Sequence, residues 1–271
     1  MAITIDWDEI GRGILTPEDF LAKVKREKEL ANRVDVEGSL KNAYAQIQPG
    51  TMSTAAEITK ERLTNKSLRR RGYYTAEGII YWMQDGKPML YITPEEGNLV
   101  LRHLADAQNS SYDQLVSNHN YRPSLDEVMP AIDPQQGTEK FDLSDLALAG
   151  ENHEWNYFSI GTSPQAYNRL ITTGKRLAER VFGSGQDFTL AMQMLNDAGI
   201  TETRIFVLNP GYVAGNAVNP LGRASWLNNF DYYSDFSALV RNVDDHNALR
   251  GVSGVGRAYA SNQGRGAPVR I

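Results

Sequence analysis

The 271-residue chain has no cysteine, which removes disulfides, thiolate nucleophiles and cysteine-ligated zinc or iron–sulfur sites from consideration. Histidine is scarce: His103, His119, His153 and His246 are scattered. No Gly-x-Ser-x-Gly elbow is present, and no glycine loop of phosphate-binding spacing sits between a strand and a helix. Glu151-Asn152-His153-Glu154 and Asp244-Asp245-His246 place acids beside a histidine, but neither has ligand-motif spacing, and both read as polar turns. No catalytic residue, metal or cofactor is assigned. No apolar run approaches the roughly 18 residues of a membrane-spanning helix, so no membrane partner is expected. The start, Met1 to Asp6, has neither a basic opening nor a long apolar stretch, and cytoplasmic synthesis is expected. An excess of basic charge is also missing. Lys and Arg number 28 against 33 Asp and Glu, a net charge of −5, which argues against a surface built wholly for nucleic acid.

What is present suits a globular chain: 41% apolar and 23% charged residues are enough to bury a core and too mixed for wholesale disorder. Thr16-Pro17-Glu18-Asp19 is a helix start, with a capping hydroxyl, a first-turn proline and acids against the positive end of the dipole. Phe20, Leu21, Val24, Ala31 and Val34 follow at helical spacing. A second helix is expected around residues 40–47, and a third from Thr54, where Glu57 completes a capping box. The apolar face of this third helix is thin, so it needs a partner surface.

The clearest strand signal comes next. Two apolar runs, residues 79–83 and 89–92, flank Asp85-Gly86, a pair suited to the positive φ angles of a tight hairpin. Ile80, Trp82, Leu90 and Ile92 are expected to form its buried face. Further helices are expected from Thr93-Pro94-Glu95-Glu96, as one long run from Ser163-Pro164 through Val181, over 187–198, and at 234–243, with only short helical turns near residues 124–129 and 143–148. Residues 155–160 and 204–208 read as strands, whereas 213–230 show no usable period. Gly183-Ser184-Gly185 reads as a helix–helix turn. The fold class is therefore α+β: a helical N-terminal region over residues 1–70, a central antiparallel hairpin-based sheet with packed helices, and one domain spanning 1–250. Residues 251–271 form a glycine- and arginine-rich arm.

Charge is uneven along the chain. Lys60, Arg62, Lys66, Arg69, Arg70 and Arg71 stand against Glu61 alone, and after Asp245 there is no acid while Arg250, Arg257, Arg265 and Arg270 accumulate. Arg69, Arg70, Arg71, Arg257, Arg265 and Arg270 are the candidate binding residues, for an acidic neighbouring subunit or for phosphates. With no catalytic signature, two long irregular stretches, a basic arm and 13 tyrosines with 4 tryptophans, the expected function is that of a self-associating structural protein, such as a phage-like capsid, neck or tail component. A homo-oligomer or larger assembly is the expected partner. The alternatives are an enzyme acting through carboxylates and arginines on a phosphorylated or glycosidic substrate, and a nucleic-acid-binding module.

Overall fold

The computed structural model describes residues 32–105, 121–229, 233–240 and 247–253. At its centre is the expected hairpin, strands β2 (Tyr73–Gln84) and β3 (Lys87–Thr93). Asp85 and Gly86 turn the chain with φ of 52° and 76°, the left-handed pair whose twist matches that of the strands. Tyr81 stands opposite Leu90 and Ile79 opposite Ile92, whereas Ile80 faces Tyr91 and Trp82 faces Met89. The expected face of Ile80, Trp82, Leu90 and Ile92 is thus divided. Ile79, Tyr81, Leu90 and Ile92 join one core cluster, while Ile80, Met89 and Tyr91 join a second, with Trp82 half-buried against it. Helices cover both faces here, and a strand covered on both faces reads as a continuous apolar run, which hides the alternation that would set its face.

The other described strands are β1 (Arg33–Gly38), β4 (Glu139–Asp142), β5 (Leu148–Ala149), β6 (Trp155–Gly161), β7 (Glu202–Leu208), β8 (Leu221–Leu227), β9 (Phe236–Val240) and β10 (Asn247–Val252). They form one mixed sheet in the order β1-β10-β2-β8-β9-β7-β6-β5, with β3 and β4 branching from β2. Strand β2 is the hub. Its first residues pair with β10 in parallel, its later ones with β3, and its other edge with β8. The change of neighbour coincides with a register shift between Thr75 and Ile79. Gly78 lies in that bulge, where an added Cβ would come 2.6 Å from Asn98 Cα, so no larger residue fits.

Helices α1 (Leu40–Tyr44), α3 (Leu99–Ala105) and α4 (Leu125–Ala131) cover one sheet face, and α2 (Ala55–Thr64), α6 (Thr172–Phe182) and α7 (Gly185–Asp197) cover the other. Short helices α5 (Pro164–Tyr167) and α8 (Pro210–Asn216) complete the set. The expected long helix from Ser163 is therefore two. Gly174 opens the second against the Phe158 ring, which an added Cβ would meet at 2.4 Å.

Several expectations are corrected. The helical start at Thr16 lies outside the described residues, but Val34 belongs to a strand, so the region 1–70 is not wholly helical. Residues 236–240 form a strand where a helix was expected, and the apparently aperiodic stretch 213–230 contains β8, a central strand. Gly251 and Val252 complete β10, and Ser253 bridges Ile47. The remainder of the expected arm lies outside the described residues.

The thin apolar face of α2 has a physical explanation. Ala55 and Ile58 meet the core, but the neighbouring face is ionic: Arg33 reaches Glu57 at 2.8 Å, and Arg250 reaches Glu61 at 2.7 Å and Asp35 at 2.8 Å. Tyr73 donates to the other Asp35 oxygen at 3.0 Å. The helix docks on β1 and β10 through charge as well as apolar contact.

Two measurements check this packing. Arg250→Ala removes the guanidinium shared by two partly buried carboxylates, leaving Asp35 only its Tyr73 bond, and is expected to cost about 3 kcal/mol in urea unfolding. Tyr81 is fully buried, donates to Ala238 O and accepts from Leu208 N. Tyr81→Ala is expected to cost about 3–5 kcal/mol, and half-buried Trp82→Ala less. The reverse order would contradict the assignment of faces.

Candidate recognition surface

The strand registers bring six chain segments to one end of the sheet. Tyr73 opens β2 opposite Leu227, which closes β8; Phe236 opens β9 opposite Leu227; and Ala248, near the start of β10, lies beside Tyr73. Gly38 closes β1 opposite Asn247, and Ile205 of β7 lies beside Phe236.

One side chain inside this end ties the segments together. Arg62, in the last turn of α2, is fully buried. Its guanidinium donates to Leu68 O at 3.1 Å, Arg71 O at 2.6 Å, Asn228 O at 2.9 Å and Ser234 Oγ at 2.8 Å. Burial pulls its pKa down to about 10, with Tyr73 acting in the opposite direction, so it stays charged at neutral pH. A planar fork with five N–H donors suits several carbonyls converging from different directions.

The turn between β8 and β9 is fixed by the same kind of bond. Asn228 N donates to Asp235 O, Ser234 N to Asn229 O, and the Trp226 indole to Asn228 Oδ1 at 2.6 Å. Tyr233 and Ser234 have φ of 58° and 54°, a left-handed backbone that bulky side chains rarely adopt. Tyr233 is nevertheless 55% exposed. Beside it, Asp235 is buried and accepts Arg204 N at 2.8 Å. Burial raises its pKa to about 6, Glu202 adds to the rise, and the Arg204 amide and charge oppose it. Arg204 itself pairs with Glu202 at 2.7 Å and lies over the Tyr157 ring.

The candidate arginines have different positions. Arg69 donates to Arg62 O and Leu63 O and lines an open depression of about 440 Å³ with Leu63, Leu190, Gln193, Met194, Asp197 and Ala198. Arg70 is exposed, and its carbonyl accepts from Asn229. Arg71 is exposed and pairs with Glu37. Lys60 pairs with Asp187. Arg257, Arg265 and Arg270 lie outside the described residues. The basic run is therefore divided between an interior tie at Arg62 and a surface at Lys66, Arg70 and Arg71, with Tyr233 and half-buried Trp226 close by.

Sequence reasoning missed Arg62, because helical phase alone does not distinguish an inward arginine from a solvated one. It also missed the contact of His103 with Glu127 at 2.7 Å and of the Tyr121 hydroxyl with the same oxygen at 3.3 Å. Burial opposes ionisation of Glu127, yet hydrogen bonds from Ser124 and His103 hold its pKa below the ordinary value. The trio joins α3 to the start of α4. Among the described residues no group of three His, Asp or Glu side chains is placed to hold a metal ion. Glu154 follows a turn in which Asn152 Oδ1 accepts from Glu154 N and Trp155 N.

No family model matches the chain and no curated protein matches it. A solved structure, described as "Accommodation of massive sequence variation in Nanoarchaeota by the C-type lectin fold", superposes with a TM-score of 0.54 at 11% identity, over 82% of this chain and 95% of that one. The likeness is to the C-type lectin fold. At this identity it is a likeness of architecture alone.

The environment of Asp235 yields a pH test. Its folded-state pKa is raised from 3.8 to about 6, so the folded chain holds a proton that the unfolded chain releases between those values. The stabilisation is complete below about pH 3.8 and is lost as the pH rises through about 6. Against Asp235→Asn, which cannot titrate, the wild-type melting temperature is expected to fall between pH 4 and pH 6.5. Parallel profiles would contradict the burial of a titrating carboxyl there.

Proposed function

We propose that this chain is a non-catalytic recognition protein, a rigid C-type-lectin-like frame that presents a binding surface at the sheet end holding Lys66, Arg70, Arg71, Trp226 and Tyr233. The observation that carries this reading is Tyr233, a large aromatic kept exposed on a left-handed backbone where glycine or asparagine would sit with less strain. Strain retained at an exposed ring favours a role for the ring itself.

The bonding pattern adds support. Arg62 holds the surface segments mainly by their backbone carbonyls, so the outward side chains can change while the loops stay in place. The structure of similar fold is described as accommodating massive sequence variation, and a division between frame and presenting surface suits that description. Arginine, tyrosine and tryptophan are also the side chains that contribute most at protein interfaces. The self-associating virion or other assembly component expected from the sequence is one form of this reading.

A protease-resistance scan of all single substitutions in the full chain tests it. Positions 66, 70 and 71 are expected to accept most residues with changes within about 0.5 kcal/mol. Position 62 is expected to accept almost none. Tyr233→Gly is expected to raise the melting temperature, because it relieves the left-handed strain. Intolerance at 66, 70 and 71, or destabilisation by Tyr233→Gly, would mean that these side chains hold the fold and present nothing.

A further inference from the structure

The chain carries a second exposed patch whose chemistry complements the first. Helix α4 buries Val128 and Ala131 but leaves Leu125 and Met129 52% and 54% exposed. These two are one helical turn apart and so share a face. Asp126 is exposed beside them, and Asp133 follows the helix, half-buried. The nearby basic groups are engaged locally: Arg122 donates to Asn216 O, Arg102 to Glu96 O, and His103 meets Glu127. The result is an apolar centre with acidic neighbours, whereas the sheet end offers exposed Lys66, Arg70 and Arg71, the last paired with half-exposed Glu37, together with the exposed ring of Tyr233 and half-buried Trp226.

The two patches are held apart within one chain. The segment leading into α4 is anchored where Tyr121 pairs with Gly222, near the start of β8. The basic patch lies beyond Leu227 at its other end, about 17 Å away at roughly 3.3 Å per strand residue. Among the described residues, neither patch covers the other. We propose that the sheet-end surface docks on the α4 patch of a second copy of this chain, a head-to-tail contact joining Arg70 and Arg71 to Asp126 and Asp133 and packing Tyr233 over Leu125 and Met129. The inference rests on the reading of the sheet end as a recognition surface and names its partner. A contact between two different patches leaves a free patch at each end of the pair, so it continues into a ring or a filament.

The test is a charge exchange in the full chain, read as solution mass against concentration by sedimentation velocity at low salt, with melting temperature as the check on folding. Wild type is expected to grow in mass with concentration. R70E/R71E and D126K/D133K are each expected to stay at the mass of one chain, while their equimolar mixture, and the single chain carrying all four changes, regain association. L125S/M129S removes the apolar centre without touching charge and is also expected to remain a single chain, which keeps the test decisive if D126K/D133K melts early. A wild type that is a single chain at every concentration overturns the proposal and leaves the recognition surface to the substitution scan. Association lost in R70E/R71E but intact in both α4 variants overturns the α4 partner alone. Association unchanged in every variant overturns the proposal and places the contact elsewhere.

Discussion

A buried guanidinium organises the end of the sheet on which the functional reading rests. Taking the Arg62 charge out of water costs several kcal/mol, and hydrogen bonds to a charged group return about 1.5–3 kcal/mol each. Four such bonds, to Leu68, Arg71, Asn228 and Ser234, offset the cost, and losing any one leaves an N–H of a buried charge unsatisfied. The helix end, the segment into β2 and the β8–β9 turn must therefore take up their positions jointly. That shared requirement gives an irregular region a defined backbone, and it leaves the side chains of Lys66, Arg70, Arg71 and Tyr233 outside the bargain.

Ionisable groups placed inside recur through the molecule. Arg33, Glu77 and Arg223 are buried, and the Glu95 carboxylate accepts from Gly50 N, Met52 N and the Tyr44 hydroxyl. Arg250 joins β10 to β1 and α2 at once. These groups set which segments meet: an apolar face tolerates sliding, whereas a carboxylate with two amide donors does not. Strand β2 adds the second constraint. By changing neighbours at its bulge it joins the first and last described strands to the centre of the sheet, so β1 and β10 are secured far from the hairpin turn.

Much of the local structure was legible. The capping box at Thr54 and the Asp85-Gly86 turn act over two to four residues and appear as expected. What escaped depends on distant pairing. Strand β1 has alternating charge and valine and follows a helix-like run; β8 has Arg223 and Ser225 buried at its centre; β9 and β10 are short, and each has one parallel neighbour. None carries a local signal strong enough to outweigh its polar content. The basic cluster misled in the same way, since a run of Lys and Arg normally faces water and Arg62 does not. Sequence singled out Arg70 and Arg71 as charged, while their neighbour Asn229, which donates to Arg70 O, had to come from the fold.

The central claim is that Arg62 holds the presenting segments by their backbone, and amide hydrogen exchange on an Arg62→Lys chain tests it most directly. Lysine keeps the charge and loses the fork, so protection at the Asn228 and Ser234 amides is expected to fall at least tenfold, while the β2–β3 hairpin amides from Ile79 to Ile92 keep theirs. Unchanged protection at Asn228 and Ser234 would show that the turn stands without the guanidinium and would contradict the account.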